Sequence, residues 1–491
     1  MNKGLISVVI VLAYLTFMLV ITVANGRKKK IAENAVSFFL AGRGVSAILL
    51  PLVMIAAVQS TFAFLGAPGM YYTHGVSFMV LVLSQVWVAL MVLYFGNKIR
   101  KLAKKNGYLS IGDYFADRYD SPYMKVLASI ISVVMTMVFL AMQYVGTARA
   151  LAVLSGGAVP YNIAILIPVI FSLLYVIIGG AKGIVLLDAI QAIILLTGIL
   201  VAAWVALRPV GGIQALFQNT AESIPALLSR PGPRGLYGNQ YWIMQFIVLP
   251  FGIWLCPHVW RVSLMAKDEK ALSRSAISIP VSQVLIYGFA AMFVGFAGHQ
   301  LINPADVTAA DNILPLMMTR HAHWLIVVFI LAAAMSAGVS TMTAMLLVTS
   351  QIVSQDIILY GRKAKISDKQ NILISRIIVL VMTMIASGIA LNPPQTLVQV
   401  VQDVAYTGLA QLAPPFVAGL YWKGARKEGV IAGLTVGTII LFATRILRLS
   451  PFGWPGFMWA FAINIVLVVG VSLALKNRDN SRVEEKFFSA V

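Results

Sequence analysis

Five consecutive residues, Ala337-Gly338-Val339-Ser340-Thr341, carry the most specific chemistry in the chain. On a helix, residues three and four beyond Ala337 lie over the face that holds its carbonyl, so the Ser340 and Thr341 hydroxyls can converge with that oxygen. Neutral oxygens of this kind suit a hard monovalent cation, whereas Ca2+ usually draws carboxylates. A second oxygen source lies near Ala56 and Gln59, where the polar run Gln59-Ser60-Thr61 interrupts an apolar stretch ahead of Gly66-Ala67-Pro68-Gly69. A helix unwound there frees carbonyls that need partners, and a bound ion can supply them. The competing reading is that Ser340 and Thr341 bond back to a preceding carbonyl or join neighbouring helices.

Of the 17 acidic residues, only Asp188 and Asp403 fall inside apolar runs of membrane-spanning length, where an ionisable side chain is costly and by default functional. Asp188 follows Gly179-Gly180-Ala181-Lys182-Gly183. It can guide a cation out of a buried site or pair with a base such as Lys182. Asp403, between Gln402 and Tyr406, can face a polar cavity or serve as a hydrogen-bonding group within a helix bundle. Asp113, Asp117 and Asp120 form a D-x3-D-x2-D series near Lys101, Lys104 and Lys105, a pattern that in a Mg2+-dependent transferase would hold a phosphate substrate. Tyr114, Phe115 and Tyr119 point instead to an amphipathic helix at the membrane surface. His258, beside Pro257, can titrate and so offers proton coupling as an alternative, or can be a structural hydrogen-bonder. Cys256 is the single cysteine, which excludes an internal disulfide and a CxxC site. HExxH, GxxxxGK[ST] and GxSxG patterns are absent from the sequence.

The elements that must position these residues are membrane helices. Of 491 residues, 60% are apolar and 11% charged, and mean hydropathy is +0.88, too apolar for a soluble domain. Apolar runs predict helices at 4–25, 46–66, 75–95, 124–146, 158–179, 184–206, 241–260, 276–298, 324–350, 372–391, 394–421, 427–446 and 453–475. The first is too long for a signal-peptide core and is followed by Arg27-Lys28-Lys29-Lys30, so it reads as a retained span. About 27 Lys and Arg fall on one set of alternating loops against about 8 on the other. The positive-inside rule then puts the N-terminus outside and the 476–491 tail in the cytoplasm. The net charge of +20 is therefore a topological signal and gives no support to nucleic-acid binding. Interrupted helices at 46–66 and 241–260 each open a set of five, giving halves 46–206 and 241–421 of opposite orientation. Paired interruptions in inverted halves mark the central site of a transporter.

Several segments together resemble the sodium:solute symporter family, whose bacterial members carry proline, pantothenate, sugars and monocarboxylates. They are Phe39-Leu40-Ala41-Gly42-Arg43, Ile111-Gly112-Asp113-Tyr114-Phe115, 143–149, 179–191, Ala266-Lys267-Asp268-Glu269-Lys270, Ala337 with Ser340 and Thr341, and Leu420-Tyr421-Trp422-Lys423. The resemblance implies a leucine-transporter-like core of ten helices in two inverted repeats, with one helix before and two after. It implies a sodium site built from the carbonyls of Ala56, Gln59 and Ala337 and the hydroxyls of Ser340 and Thr341, and Asp188 on the sodium exit route. By the same resemblance the substrate cavity draws on Gln59, Gln85, Gln143, Trp254 and Gln402. Val58 stands where proline carriers have an acidic residue, which argues against proline. The expectation is an all-α, multi-pass protein of the inner (plasma) membrane, a single transmembrane domain spanning 1–491. It is a carrier and not an enzyme, with Na+ as coupling ion, no cofactor, and a small carboxylate, amino acid or vitamin-like solute as cargo. Neither the solute nor the oligomeric state is legible in the residues.

Overall fold

The computed structural model describes residues 3–28, 35–360, 367–392, 397–475 and 487–488. Lys29 and Lys30 of the first basic loop, and most of the 476–491 tail, lie outside the described residues. What is described is helical throughout and contains no strand; one isolated parallel bridge joins Val45 to Ala266. In lipid this is the expected solution, because a helix satisfies its own backbone polar groups. Among the described residues nine helices are long and apolar enough to cross a membrane, or ten with one bent pair counted as a span. The elements that position the site are α1 (Lys3–Lys28), α2 (Leu49–Val58), α3 (Gly66–His74), α4 (Val80–Met91), α5 (Ile111–Tyr119), α6 (Pro122–Leu154), α7 (Leu166–Val210) and α8 (Asn239–Trp254). They continue with α9 (Pro257–Met265), α10 (Glu269–Gln283), α11 (Ile313–His321), α12 (Trp324–Ile352), α13 (Asp368–Ala390), α14 (Ala413–Tyr421), α15 (Lys427–Ile446) and α16 (Gly456–Ala474).

Three of these elements are broken or bent. After α2 the backbone turns extended at Gln59 (φ −87°, ψ 140°) and Ser60 (φ −144°, ψ −173°) before helix resumes. Helices α8 and α9 meet at 56°. Pro250 sits inside α8 without ending it, and the bend falls at Leu255 and Cys256, where Pro257 opens α9 at a position that needs no backbone donor. At 45 residues α7 would measure about 68 Å if straight, more than twice a hydrocarbon core of about 30 Å. Its chain leaves helical geometry at Gly180 (φ 53°, ψ −172°), a conformation that side-chain-bearing residues avoid.

Burial orders the bundle. In the span Trp324–Ile358 the most apolar stretch is 78% buried, against 39% for Lys427–Ile446 and 28% for Gly456–Ala474. Helix α12 is thus central, packed by α2, α6 and α7, while α15 and α16 pair with each other at the edge. Backbone bonds from Val45 N–H to the Met265 carbonyl (3.1 Å) and from Lys267 N–H to the Val45 carbonyl (3.0 Å) tie the start of one interrupted helix to the end of the other.

The D-x3-D-x2-D series serves structure. Asp113 completes a capping box with Ser110 at the start of α5 and accepts from the Leu109 N–H at 2.8 Å. Asp117 takes the Tyr108 hydroxyl, and Asp120 closes the helix in a left-handed conformation. The aromatic and basic face of α5 caps α14: Tyr114 donates to the Phe416 carbonyl, Tyr119 to Pro415, and Arg118 to Gly419 and Trp422. The carboxylates are thus taken by protein partners, and Tyr114, Phe115 and Tyr119 are buried against protein instead of being laid out on a surface. Lys125 of α6 lies 2.7 Å from Asp113 and 3.2 Å from Asp356, a carboxylate with a fully buried side chain that also accepts from Ser129 (2.9 Å). Gly112 allows this approach, since a Cβ there would stand 2.6 Å from both the Asp356 carboxylate and the Ser129 hydroxyl.

Removing one partner of a buried ion pair costs about 3–5 kcal/mol. Lys125→Met is expected to lower the thermal unfolding midpoint of the purified protein accordingly, and adding Asp356→Asn to restore part of it. An unchanged midpoint in Lys125→Met would show that the pair does not hold these elements together.

Candidate functional site

The break after α2 takes the Ser60 N–H off the helical ladder, so the Ala56 carbonyl loses its regular partner. Two hydroxyls from α12 occupy the gap. Ser340 Oγ reaches the carbonyls of Ala337 (3.2 Å) and Ala56 (3.5 Å). Thr341 Oγ1 reaches those of Gln59 (2.9 Å), Ala337 (3.0 Å) and Ala56 (3.4 Å). The hydroxyls thus bond back along their own helix and also reach across to α2. All five residues are buried. Within the unbroken α12 the Ala337 carbonyl keeps the Thr341 N–H, so three carbonyls, each with two lone pairs, face one amide and two hydroxyl protons, and the C-terminal end of α2 adds its negative dipole end. The cluster is acceptor-rich, uncharged and enclosed, and its donor set fits a desolvated monovalent cation.

Side chains from several elements hold the break open. Gln143 of α6 accepts from the Thr61 N–H (3.2 Å) and hydroxyl (2.8 Å), and Ser60 Oγ accepts from the Phe62 N–H (3.3 Å). The His258 ring of α9 hydrogen-bonds the Ala57 backbone, the structural role among its two readings. Gln59 donates from Nε2 to Ser282 Oγ at 3.1 Å. Gln143 is therefore committed to the break.

Beside the break lies a narrow slot, lined by the polar groups of Ser60, Gln85, Gln283, Tyr287 and Tyr406 and walled by Val58, Phe62, Leu81 and Ile253. It has room for about one water. Among the described residues, buried oxygens of Gln59, Gln85 and Gln283 and both polar atoms of Gln402 have no hydrogen-bond partner. Of these, Gln85 and Gln283 line the slot, while Gln59 and Gln402 do not; orphaned amides are unusual in a folded interior, and the two on the lining offer acceptors that a polar solute would satisfy. Gln402 and Tyr406 share a π-helical turn, Val401–Tyr406, a feature frequent at functional sites. Trp254 is not among the slot's lining; its ring packs on Phe95 (5.3 Å) and Phe416 (5.0 Å). Sequence reasoning does not single out Gln283 and Tyr287. Their one signal there is a glutamine and a tyrosine four residues apart in an apolar run.

Asp188 is 3% exposed, with one carboxylate oxygen unpartnered and the charge of Arg261 acting on it. Ala192, one turn on and over the same face, packs against Ile55 and Ala56, so the turn carrying Asp188 runs alongside the oxygen cluster. Asp403 accepts from the Tyr241 hydroxyl (2.7 Å) and Gln245 (3.5 Å) and lies 3.5 Å from Arg445. It does line a polar cavity, an open one of about 760 Å³, one turn from Tyr406 of the slot.

The same architecture recurs in solved structures. A Na+-coupled sialic acid symporter, in a substrate-bound outward-open state, superposes with a TM-score of 0.79 at 19% identity, covering 96% of this chain and 98% of that one. MhsT in complex with L-phenylalanine gives 0.56 at 13% identity, covering 88% and 99%. In sequence, the chain is 28% identical to the sodium/pantothenate symporter of Haemophilus influenzae over 89% of each protein. It is 26% identical to sodium/proline symporter 2 of Staphylococcus saprophyticus over 88% of this chain and 84% of that one. Residues 38–437 match the sequence model of the sodium:solute symporter family. The chain is an all-helical, multi-pass membrane protein and belongs to the sodium:solute symporter family, a family of carriers and not of enzymes.

Proposed function

We propose that the protein couples the inward movement of Na+ to uptake of a small organic solute by alternating access. The observation that carries this reading is the convergence of three carbonyls and two hydroxyls from α2 and α12 on one buried point, where acceptor lone pairs outnumber protons. Sodium bound there would bridge the broken helix to the central one and favour whichever state brings them together; an ion with equal affinity for both states would shift nothing. Asp188 would receive the ion on its way to the cytoplasm. The solute, a carboxylate, amino-acid or vitamin-like molecule, would enter past Asp403 into the slot. Its donors would meet the unpartnered oxygens of Gln85 and Gln283 and of Gln59, which sits between the lining residues Val58 and Ser60, and its carboxylate would meet Gln402 Nε2, one turn before Tyr406. Trp254, one residue beyond the Ile253 wall, would bear on the slot from behind. Val58, on the slot wall, stands where proline-carrier relatives place an acid, which weighs against proline. Proton coupling has less support, because His258 is engaged with the Ala57 backbone.

The topology that serves this mechanism has thirteen crossings. The long helices supply nine and the bent pair α8 and α9 a tenth. Division of α7 at Gly180, the broken unit from α2 to α3, and the segment ending in α14 supply the remaining three. Repeats at 46–206 and 241–421 would then be inverted about the two interrupted helices, with the N-terminus outside and the 476–491 tail in the cytoplasm of a cell bounded by its plasma membrane. One sodium charge moving through 100 mV gains about 2.3 kcal/mol, enough for roughly 50-fold accumulation of a neutral solute.

In proteoliposomes, a solute found by screening for sodium-dependent accumulation should lose uptake when Na+ is replaced by choline at fixed pH. Thr341→Val and Ser340→Ala should each raise the Na+ concentration for half-maximal uptake by about tenfold or more, the loss of one charge-assisted contact. Unchanged sodium dependence in both variants would remove the ion site, and uptake driven by a proton gradient without Na+ would replace the coupling ion. Gln85→Leu and Gln283→Leu should raise the KM for the solute by about tenfold while leaving sodium activation in place. An unaltered KM would remove these amides from the solute site.

A further inference from the structure

At the end of α7 furthest from Gly180, Trp204, Arg208, Pro209, His321, His323 and Ile326 line an open cavity of about 440 Å³ between α7, the end of α11 and the start of α12. No carboxylate is among its lining residues. The Arg208 guanidinium lies 4.8 Å from the centre of the Trp204 ring, which restricts where its charge can point. His323 caps α12: its Nδ1 accepts from the Leu325 N–H (3.4 Å). The ring proton must then reside on Nε2, leaving an outward donor. The first turn of α12 adds a positive dipole end to the same place.

Directly beneath this cavity runs an exposed stripe on α7. Ile193, Thr197, Leu200, Trp204 and Arg208 follow one another at helical spacing on one face, and all are exposed. The stripe is about 22 Å long, apolar but for one threonine whose hydroxyl bonds back to the Ile193 carbonyl. It ends in a tryptophan and then an arginine, the order of groups that meets a bilayer from its core to its surface.

We propose that this cavity binds the phosphate of an anionic membrane phospholipid, held by Arg208, His323 and His321, with an acyl chain along the stripe from Leu200 to Ile193. A free anion would use Arg208 and the imidazole donors but not the apolar stripe that continues from them, which is why the lipid is the favoured occupant. Arg208 would also disfavour a headgroup that carries its own cation close to the phosphate.

The test uses the full chain in nanodiscs of phosphatidylcholine alone or with phosphatidylglycerol added, read by native mass spectrometry of retained lipid and by thermal unfolding. The wild-type protein should retain phosphatidylglycerol and melt higher in its presence. Arg208→Gln combined with His321→Gln should retain about tenfold less, with melting in phosphatidylcholine unchanged, whereas Arg208→Lys should retain most of it. If the double variant fails to assemble, Arg208→Gln alone is judged by the same tenfold criterion. Equal retention by wild type and variant would overturn the site. Equal stabilisation by inorganic phosphate in phosphatidylcholine discs would overturn the lipid assignment in favour of a free anion.

Discussion

A carbonyl inside a membrane cannot turn to water for a partner, and the structure is organised around one place where the helical ladder gives its carbonyls none. Between Val58 and Thr61 the chain runs extended inside the helix bundle. That is tolerable only where protein groups surround the opened backbone. Gln143, the Ser60 side chain and His258 satisfy part of it. The carbonyls of Ala56 and Gln59 are left to Ser340 and Thr341, which already serve Ala337. The arithmetic of donors and acceptors at this point is what makes a cation the natural complement, without any carboxylate in the cluster.

The rest of the bundle keeps this arrangement in register. The central helix, α12, supplies both hydroxyls, and one turn earlier its Ser336 bonds the Tyr14 hydroxyl of α1 at 2.6 Å. The backbone bridge at Val45 joins the approach to α2 with the exit from α9, so the two interrupted helices are fastened to each other there. Elsewhere α5 caps the last carbonyls of α14, while Lys125 draws Asp113 and Asp356 together. Charge fastens these elements, whereas the oxygen cluster itself is neutral.

Much of this is legible in the residues. Hydropathy identifies the membrane class, and the spacing of Ala337, Ser340 and Thr341 places two hydroxyls over one carbonyl. The polar run at Gln59 marks the break, and Asp403 does face a polar cavity. What local spacing cannot supply is the partner across the bundle. That Gln143 caps Thr61, 82 positions away, and that Trp254 packs between Phe95 and Phe416, depend on packing that periodicity does not encode. Asp356 escapes the sequence reading because its helix continues through a π-helical turn, Val353–Ile358, beyond the apolar run that ends at 350. The D-x3-D-x2-D series misleads for a related reason: shared spacing says which carboxylates share a face, not that Ser110, Tyr108 and Lys125 already hold them.

The most direct measurement is equilibrium binding of radioactive sodium to the purified protein, which needs no knowledge of the solute. Saturable binding is expected in the wild-type chain, with affinity lowered about tenfold or more in Thr341→Val and retained in Asp403→Asn, which alters the outer cavity and leaves the oxygen cluster intact. Sodium binding of undiminished affinity in Thr341→Val would contradict the assignment of the break between α2 and α12 as the ion site.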